Sequence, residues 1–156
     1  LFRHIDICED NTHFFNGNAE NTEAECAAYD KMIEAAGGID IQLLGIGSDG
    51  HIAFNEPCDH FPEGSHIVTL DERTIRDNAR FFNSIDEVPT QALTMGIGSI
   101  MRARKILLIA TGENKAQAVQ QMVEGEISPM CPASVLRLHP NATIMLDRAA
   151  ASLLKK

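Results

Sequence analysis

The chain holds 156 residues, 44% of them hydrophobic and 22% charged, with a formal net charge of −9 and a pI near 5.0. That length and apolar content suit one globular domain with a real core. The acidic balance, with no compensating basic block, argues against nucleic acid or an anionic membrane as partner, and no apolar run approaches the roughly 20 residues of a membrane span.

The chain begins at Leu1 rather than Met, and Leu1 to Asp6 offers no capping or turn signal, which reads as a cut from a longer chain. No secretory pattern follows. Asn21 to Ala36 reads as an amphipathic helix, with Thr22 and Glu25 as a capping box. Cys26, Tyr29, Met32, Ile33 and Ala36 line one face, and Gly37-Gly38 end it. Residues 39–46, carrying Ile39, Ile41, Leu43, Leu44 and Ile46, read as a buried parallel strand.

The stretch Gly45 to Pro57 follows that strand and crowds Asp, His and Glu among glycines. Ligands of parallel sheets bind beyond the carboxyl ends of strands, and Gly45, Gly47 and Gly50 let the backbone turn sharply and approach a ligand there. His51 titrates near neutral pH. Asp49 and Glu56 are placed to accept a hydrogen bond from one ring nitrogen each, fixing the tautomer and raising basicity, so the group suits proton transfer on a sugar or carbonyl substrate. Two other readings use the same residues: an Asp-Gly turn beside a satisfied core histidine, and a metal site, for which His60 and His66 lack a compelling spacing.

Beyond this loop, Cys58 to Ser65 is expected to be an exposed, mobile connection, a lid or an ordinary surface loop, leading to a strand at 66–70. Glu72 to Phe82 reads as helix. Pro89 to Met101 reads as a turn and a helix, where Gly96 and Gly98 suit close packing better than a dinucleotide site. Lys105 to Ala110 is a second buried strand, and Thr111-Gly112-Glu113 leads into a helix capped by Asn114. Lys115 then sits in a first helical turn at a strand's carboxyl end, either as an anion ligand or as a solvated surface charge. A helical piece over Ser134 to Leu138, a strand over Ala142 to Leu146 and a last helix over Asp147 to Lys156 complete the chain. Met145 and Leu146 are expected in the core, and His139 before Pro140 reads as structural. Cys8, Cys26, Cys58 and Cys131 form no Cys-x-x-Cys pair and read as reduced, buried thiols of a cytoplasmic protein. No repeat, low-complexity tract or linker divides the chain, so residues 1–156 form one domain.

The loop Gly45-Ile46-Gly47-Ser48-Asp49-Gly50-His51-Ile52-Ala53-Phe54-Asn55-Glu56-Pro57 resembles the signature of glucosamine-6-phosphate deaminases, aldose to ketose isomerases that release ammonia. The resemblance continues through Asn16 to Ala19 with Glu25-Cys26, Asn78 to Phe82, Ala92 to Gly98, Lys115-Ala116, Val123 to Gly125 and Leu138 to Pro140, nearly the whole chain. It implies that His51 carries a proton during opening of the pyranose ring while Asp49 and Glu56 orient it. It also implies that Arg80 and Lys115 hold the sugar phosphate, and that neither a redox cofactor nor a catalytic metal is needed. The family's C1 to C2 proton-shuttling aspartate and its phosphate loop lie upstream of the matched region.

The expected fold is α/β: a parallel-sheet, Rossmann-like three-layer sandwich with helices on both faces, lacking its N-terminal strands and forming the C-terminal portion of a longer domain. The expected partners are a small-molecule sugar phosphate and further copies of the chain in a homo-oligomer. The 6-phosphogluconolactonases resemble the Gly-x-Gly-x-Asp-Gly-His part but continue as Thr-Ala-Ser-Leu-Phe-Pro, so Glu56 separates the two readings. A sugar-phosphate-binding protein without turnover is a third. Some deaminases of the family are hexamers activated by N-acetylglucosamine 6-phosphate through basic residues where this chain has His66 and Val68, a departure from that pattern.

Overall fold

The computed structural model describes residues 2–155, apart from the side chain of Arg3. In chain order its main elements are α1 (Thr22–Ala35), β1 (Ile41–Leu44), β2 (His66–Thr69), α2 (Glu72–Asn78), β3 (Gln91–Thr94), α3 (Ile97–Met101), β4 (Lys105–Ala110), α4 (Ala116–Glu124) and β5 (Ala142–Leu146). Short 3₁₀ turns join them, the longest at Pro132–Leu138.

Helix α1 starts because the Asn21 side chain accepts the Ala24 N–H at 2.9 Å, satisfying one of the free donors of the first turn. Asn21, not Thr22, is therefore the cap, and Glu25 reaches out instead to the Asn16 N–H at 2.8 Å. The helix stops at Gly37 and Gly38, both at φ +88°, where the Gly38 N–H closes back onto the Ile33 carbonyl. Cys26 is its buried residue, Tyr29, Met32 and Ile33 are half-buried, and Ala36 is exposed.

β4 is the centre of a three-stranded parallel sheet in the order β1-β4-β5, with Leu44 beside Leu108 and Leu108 beside Ile144. One face, carrying Leu44, Ile106, Leu108 and Ala110, packs on Ile97 and Ile100 of α3, on Ala118, Val119 and Met122 of α4, and on Leu136. Side chains alternate along a strand, so the other face carries Ile41, Leu43, Ile109 and Met145, exposed by 63%, 61%, 44% and 53%. The strands are apolar on both faces, the pattern of a parallel sheet covered by helices on both sides. Met145, expected in the core, lies on the exposed face. Complete burial of four such side chains would contribute on the order of 6–12 kcal/mol.

The strand expected at 66–70 does not join the parallel sheet. It pairs antiparallel with β3, His66 beside Thr94 and Thr69 beside Gln91. Residues 91–94, read from the sequence as turn and helix, are thus a strand, because pairing with β2 overrides the helical preference of Ala92 and Leu93. α3 follows directly, and a Cβ on Gly96 would collide with the Gly64 carbonyl while one on Gly98 would lie 2.6 Å from Glu63 O. The Gly98 and Ser99 N–H groups donate to Pro62 and Glu63, and Asp30 accepts from the Ser65 N–H and hydroxyl. The 58–65 connection is accordingly tied down at its second half.

The helix expected over 147–156 is a succession of turns, with Lys156 outside the described residues. Asp147 accepts the Gly112 and Ala150 N–H groups, and Gln120 of α4 donates to the Leu153 carbonyl; after one helical bond from the Ala151 N–H to the Asp147 carbonyl, the backbone bonds are the tighter ones from Ser152 to Ala149 and from Leu154 to Ala151. His139 is structural as expected, its Nε2 2.8 Å from the Ala103 carbonyl and the ring buried. Cys26 and Cys131 are buried free thiols, whereas Cys8 is exposed and Cys58 half-exposed. Among the described residues no helix is long and apolar enough to cross a membrane.

Candidate functional site

The loop after β1 is built largely from its own backbone. The Gly47 N–H donates to the His51 carbonyl at 2.8 Å, Gly50 stands at φ +92°, and Ile52 and Asn55 form an isolated bridge. A Cβ on Gly47 would run into the His51 ring, and one on Gly50 would lie 2.7 Å from Cys131 Sγ, so both glycines are required by space as well as by the turn. Gly45 meets no such limit: nothing lies within 4 Å of the position a Cβ would take. Asn55, 2% exposed, donates to the Ile52 carbonyl at 3.0 Å and the Met95 carbonyl at 2.8 Å. The Phe54 N–H reaches Thr94 Oγ1, and the Ala133 N–H reaches the Gly50 carbonyl. Two segments distant in sequence, Thr94-Met95 and the one carrying Ala133, thereby clamp the loop, and Asn55 and Thr94 prove to be framework residues of the site.

Within it, His51 Nδ1 lies 2.8 Å from Asp49 Oδ1 and 3.3 Å from Glu56 Oε2. Asp49 and Glu56 do not bracket the ring with one nitrogen each, as expected from the sequence; both converge on Nδ1. Nδ1 and Glu56 Oε2 are buried and face each other without the alignment of a hydrogen bond, so charge attraction rather than directional bonding holds the group. No described residue hydrogen-bonds the other ring nitrogen, Nε2. Burial of the ring works against its positive charge, but the contacts with Asp49 and Glu56 outweigh that and push its pKa from 6.5 up to about 9. Burial likewise disfavours the Asp49 carboxylate, yet the adjacent His51 holds it well below the usual carboxylate range. At neutral pH the site is an imidazolium against two acidic side chains, with an unclaimed N–H at Nε2.

A third contact lies outside the loop. Thr74 Oγ1 of α2 donates to Glu56 Oε1 at 2.7 Å. Nothing in the sequence signalled Thr74, which lies 18 positions beyond its partner.

The remaining predicted residues are more dispersed. Arg80 is exposed in the 3₁₀ turn that continues α2, its guanidinium 4.7 Å from the Phe81 ring centroid. Lys115, half-buried, is the N-cap of α4 after the 3₁₀ turn Glu113–Lys115, and Asn114 makes no capping bond. Because β1 and β4 are parallel, Lys115 and the His51 loop both follow strand carboxyl ends on one side of the sheet. A cleft of about 700 Å³ beside Phe61, Ser65 and His66 meets the site only through Asn55 and Glu56. Asp49, His51 and Glu56 also offer three ligand atoms close enough for a metal ion. A ring that retains its Nδ1 proton at neutral pH is a poor ligand there, because metals bind the neutral imidazole. His60 is exposed against Asp59, and His66 contacts the Gly64 carbonyl, so neither histidine joins the group.

A model of the family described as glucosamine-6-phosphate isomerases/6-phosphogluconolactonase matches residues 1–145. The chain belongs to this family. Within it, the glucosamine-6-phosphate deaminase of Thermoanaerobacter pseudethanolicus is 53% identical over 154 residues, covering 99% of this chain and 61% of its own length. A solved structure described as a monomeric glucosamine-6-phosphate deaminase superposes with a TM-score of 0.94 at 50% identity, over 98% of this chain and 64% of that one. The 6-phosphogluconolactonase of Trypanosoma cruzi, 22% identical with a TM-score of 0.62 over 85% of this chain and 52% of its own, shares the fold. The chain thus spans a little over three fifths of the deaminases it matches, and the α/β class expected from its sequence is that of the family.

Proposed function

We propose that this chain is the His51-bearing part of a glucosamine-6-phosphate deaminase, which converts glucosamine 6-phosphate and water to fructose 6-phosphate and ammonia in the cytoplasm. The observation that carries the reading is Glu56, 3.3 Å from His51 Nδ1, at the position where the lactonase pattern departs. Asp49 and Glu56 keep the ring protonated and turned, so that Nε2–H is the group offered to a substrate. In ring opening, His51 gives that proton to the ring oxygen as the bond from C1 to that oxygen breaks. The neutral ring then takes the proton of the anomeric hydroxyl, which leaves the open aldehyde and regenerates the imidazolium. Gly45, Gly47 and Gly50 shape the loop against the sugar, and Arg80 and Lys115 bind its phosphate; a guanidinium and an ammonium suit that dianion. The chemistry is proton transfer and addition of water, which asks for neither a redox cofactor nor a metal.

The test is ammonia release from glucosamine 6-phosphate by the full gene product and its His51→Asn variant. Turnover that vanishes in the variant supports the reading. A folded full-length protein that releases no ammonia refutes it, and hydrolysis of 6-phosphogluconolactone would then place it with the lactonases.

A further inference from the structure

Helix α2 has seven residues, and its one buried side chain is polar: Thr74, 5% exposed. A threonine inside a helix ordinarily turns its hydroxyl to solvent or back to the carbonyl of the preceding turn. Here the hydroxyl donates across to Glu56 Oε1 at 2.7 Å. The helix is held at both ends around this residue, by Asp71 accepting the Arg73 N–H at 2.8 Å and by Asn78 donating to the Thr74 carbonyl at 2.8 Å. Glutamate has three rotatable bonds, so a carboxylate meant to present one oxygen to Nδ1 needs its other oxygen fixed.

We propose that Thr74 is a positioning residue for the proton-carrying site: its hydroxyl anchors Glu56 Oε1 so that Oε2 faces His51 Nδ1, and it ties this pair to the helix that leads to Arg80. This deepens the deaminase reading and rests on it for the kinetic part of its consequences. The groups that set the charge on His51 are Asp49 within the loop and Glu56 held from α2. The Cys131 thiol behind Gly50 is kept neutral, because its burial raises its pKa. Loss of the anchor lets Glu56 rotate away and leaves Asp49 alone to support the imidazolium.

The experiment compares the full gene product with Thr74→Val and Thr74→Ser. It follows the His51 Cε1 proton through a pH titration by NMR, assigned with His51→Asn, and measures kcat and KM for ammonia release. In Thr74→Val the His51 titration is expected to fall by about one pH unit. There kcat should drop about tenfold with KM changed less than about twofold, the pattern of a group whose contribution appears in the transition state. Thr74→Ser, which keeps the hydroxyl, should restore both. Thr74→Ala removes the hydroxyl without adding bulk and replaces valine if that variant does not fold. An unmoved His51 titration in the valine or alanine variant overturns the proposal, as does a serine variant as impaired as valine. If the unmodified protein releases no ammonia the deaminase reading fails, while the titration still decides the role of Thr74.

Discussion

Replacing Glu56 by Gln removes one negative charge and little else, since the amide oxygen can still accept from Thr74 and the volume is conserved. At 3.3 Å and an effective dielectric of about 20, a carboxylate attracts the imidazolium by about 5 kcal/mol before desolvation is counted. Both side chains are largely buried, 11% and 19% exposed, so desolvation of the two charges opposes much of that gain. A net loss of about 1–2 kcal/mol corresponds to roughly one pH unit in the His51 titration, which should fall from about 9 to about 8. The amide N–H₂ would also oppose an Nδ1–H that the carboxylate welcomed. The assay is the pH dependence of ammonia release, whose alkaline limb marks loss of the imidazolium as proton donor, read beside the NMR titration of His51. Both should move down together, and at neutral pH the thermal midpoint of unfolding should fall by about 2–6 °C, the stability that one pH unit of the His51 pKa carries. An alkaline limb still at about 9, with kcat intact, would refute the charge argument and with it the role given to Glu56.

The site should also show in stability. The His51 pKa is raised on folding from 6.5 to about 9, so its contribution is fully present below about pH 6.5, declines as pH rises and is lost above about 9. That contribution is at most about 3 kcal/mol, and denaturant unfolding of His51→Asn should lack this alkaline decline; an equal decline in both proteins would place its origin elsewhere. Gly50→Ala puts a side chain at φ +92° and 2.7 Å from Cys131 Sγ, so it should cost about 1–3 kcal/mol in the same unfolding assay. A cost under about 0.5 kcal/mol would mean that the loop relaxes freely. Arg80→Gln and Lys115→Gln should each raise KM for glucosamine 6-phosphate about tenfold or more, with much smaller effects on a substrate lacking the phosphate. Equal effects on both substrates would remove that residue from phosphate binding.

What the sequence determined by itself is local. The strand at 41–44 followed by a glycine-rich loop was readable from an apolar run and its punctuation, and the Asp49, His51 and Glu56 group is legible because its members lie only two and five positions apart. Helix α1 with its Gly37-Gly38 stop, β4, β5 and the structural His139 were readable for the same reason: a short period, a cap or a turn residue states each of them. The tertiary structure alone decided what depends on distant segments. It set both carboxylates on one ring nitrogen, leaving Nε2 free, and it brought Thr74 to Glu56 across 18 positions. It made Gln91–Thr94 a strand by supplying β2 as its antiparallel partner, and it tied the turns at 147–155 to Gly112 and to α4 through Asp147 and Gln120. A residue pattern records which side of an element is apolar, whereas the choice of hydrogen-bond partner is made in space. For the same reason an apolar pattern on both sides of β1 and β4 could announce two packed layers, but only the folded chain shows which face, that of Ile41, Leu43 and Ile109, stands open.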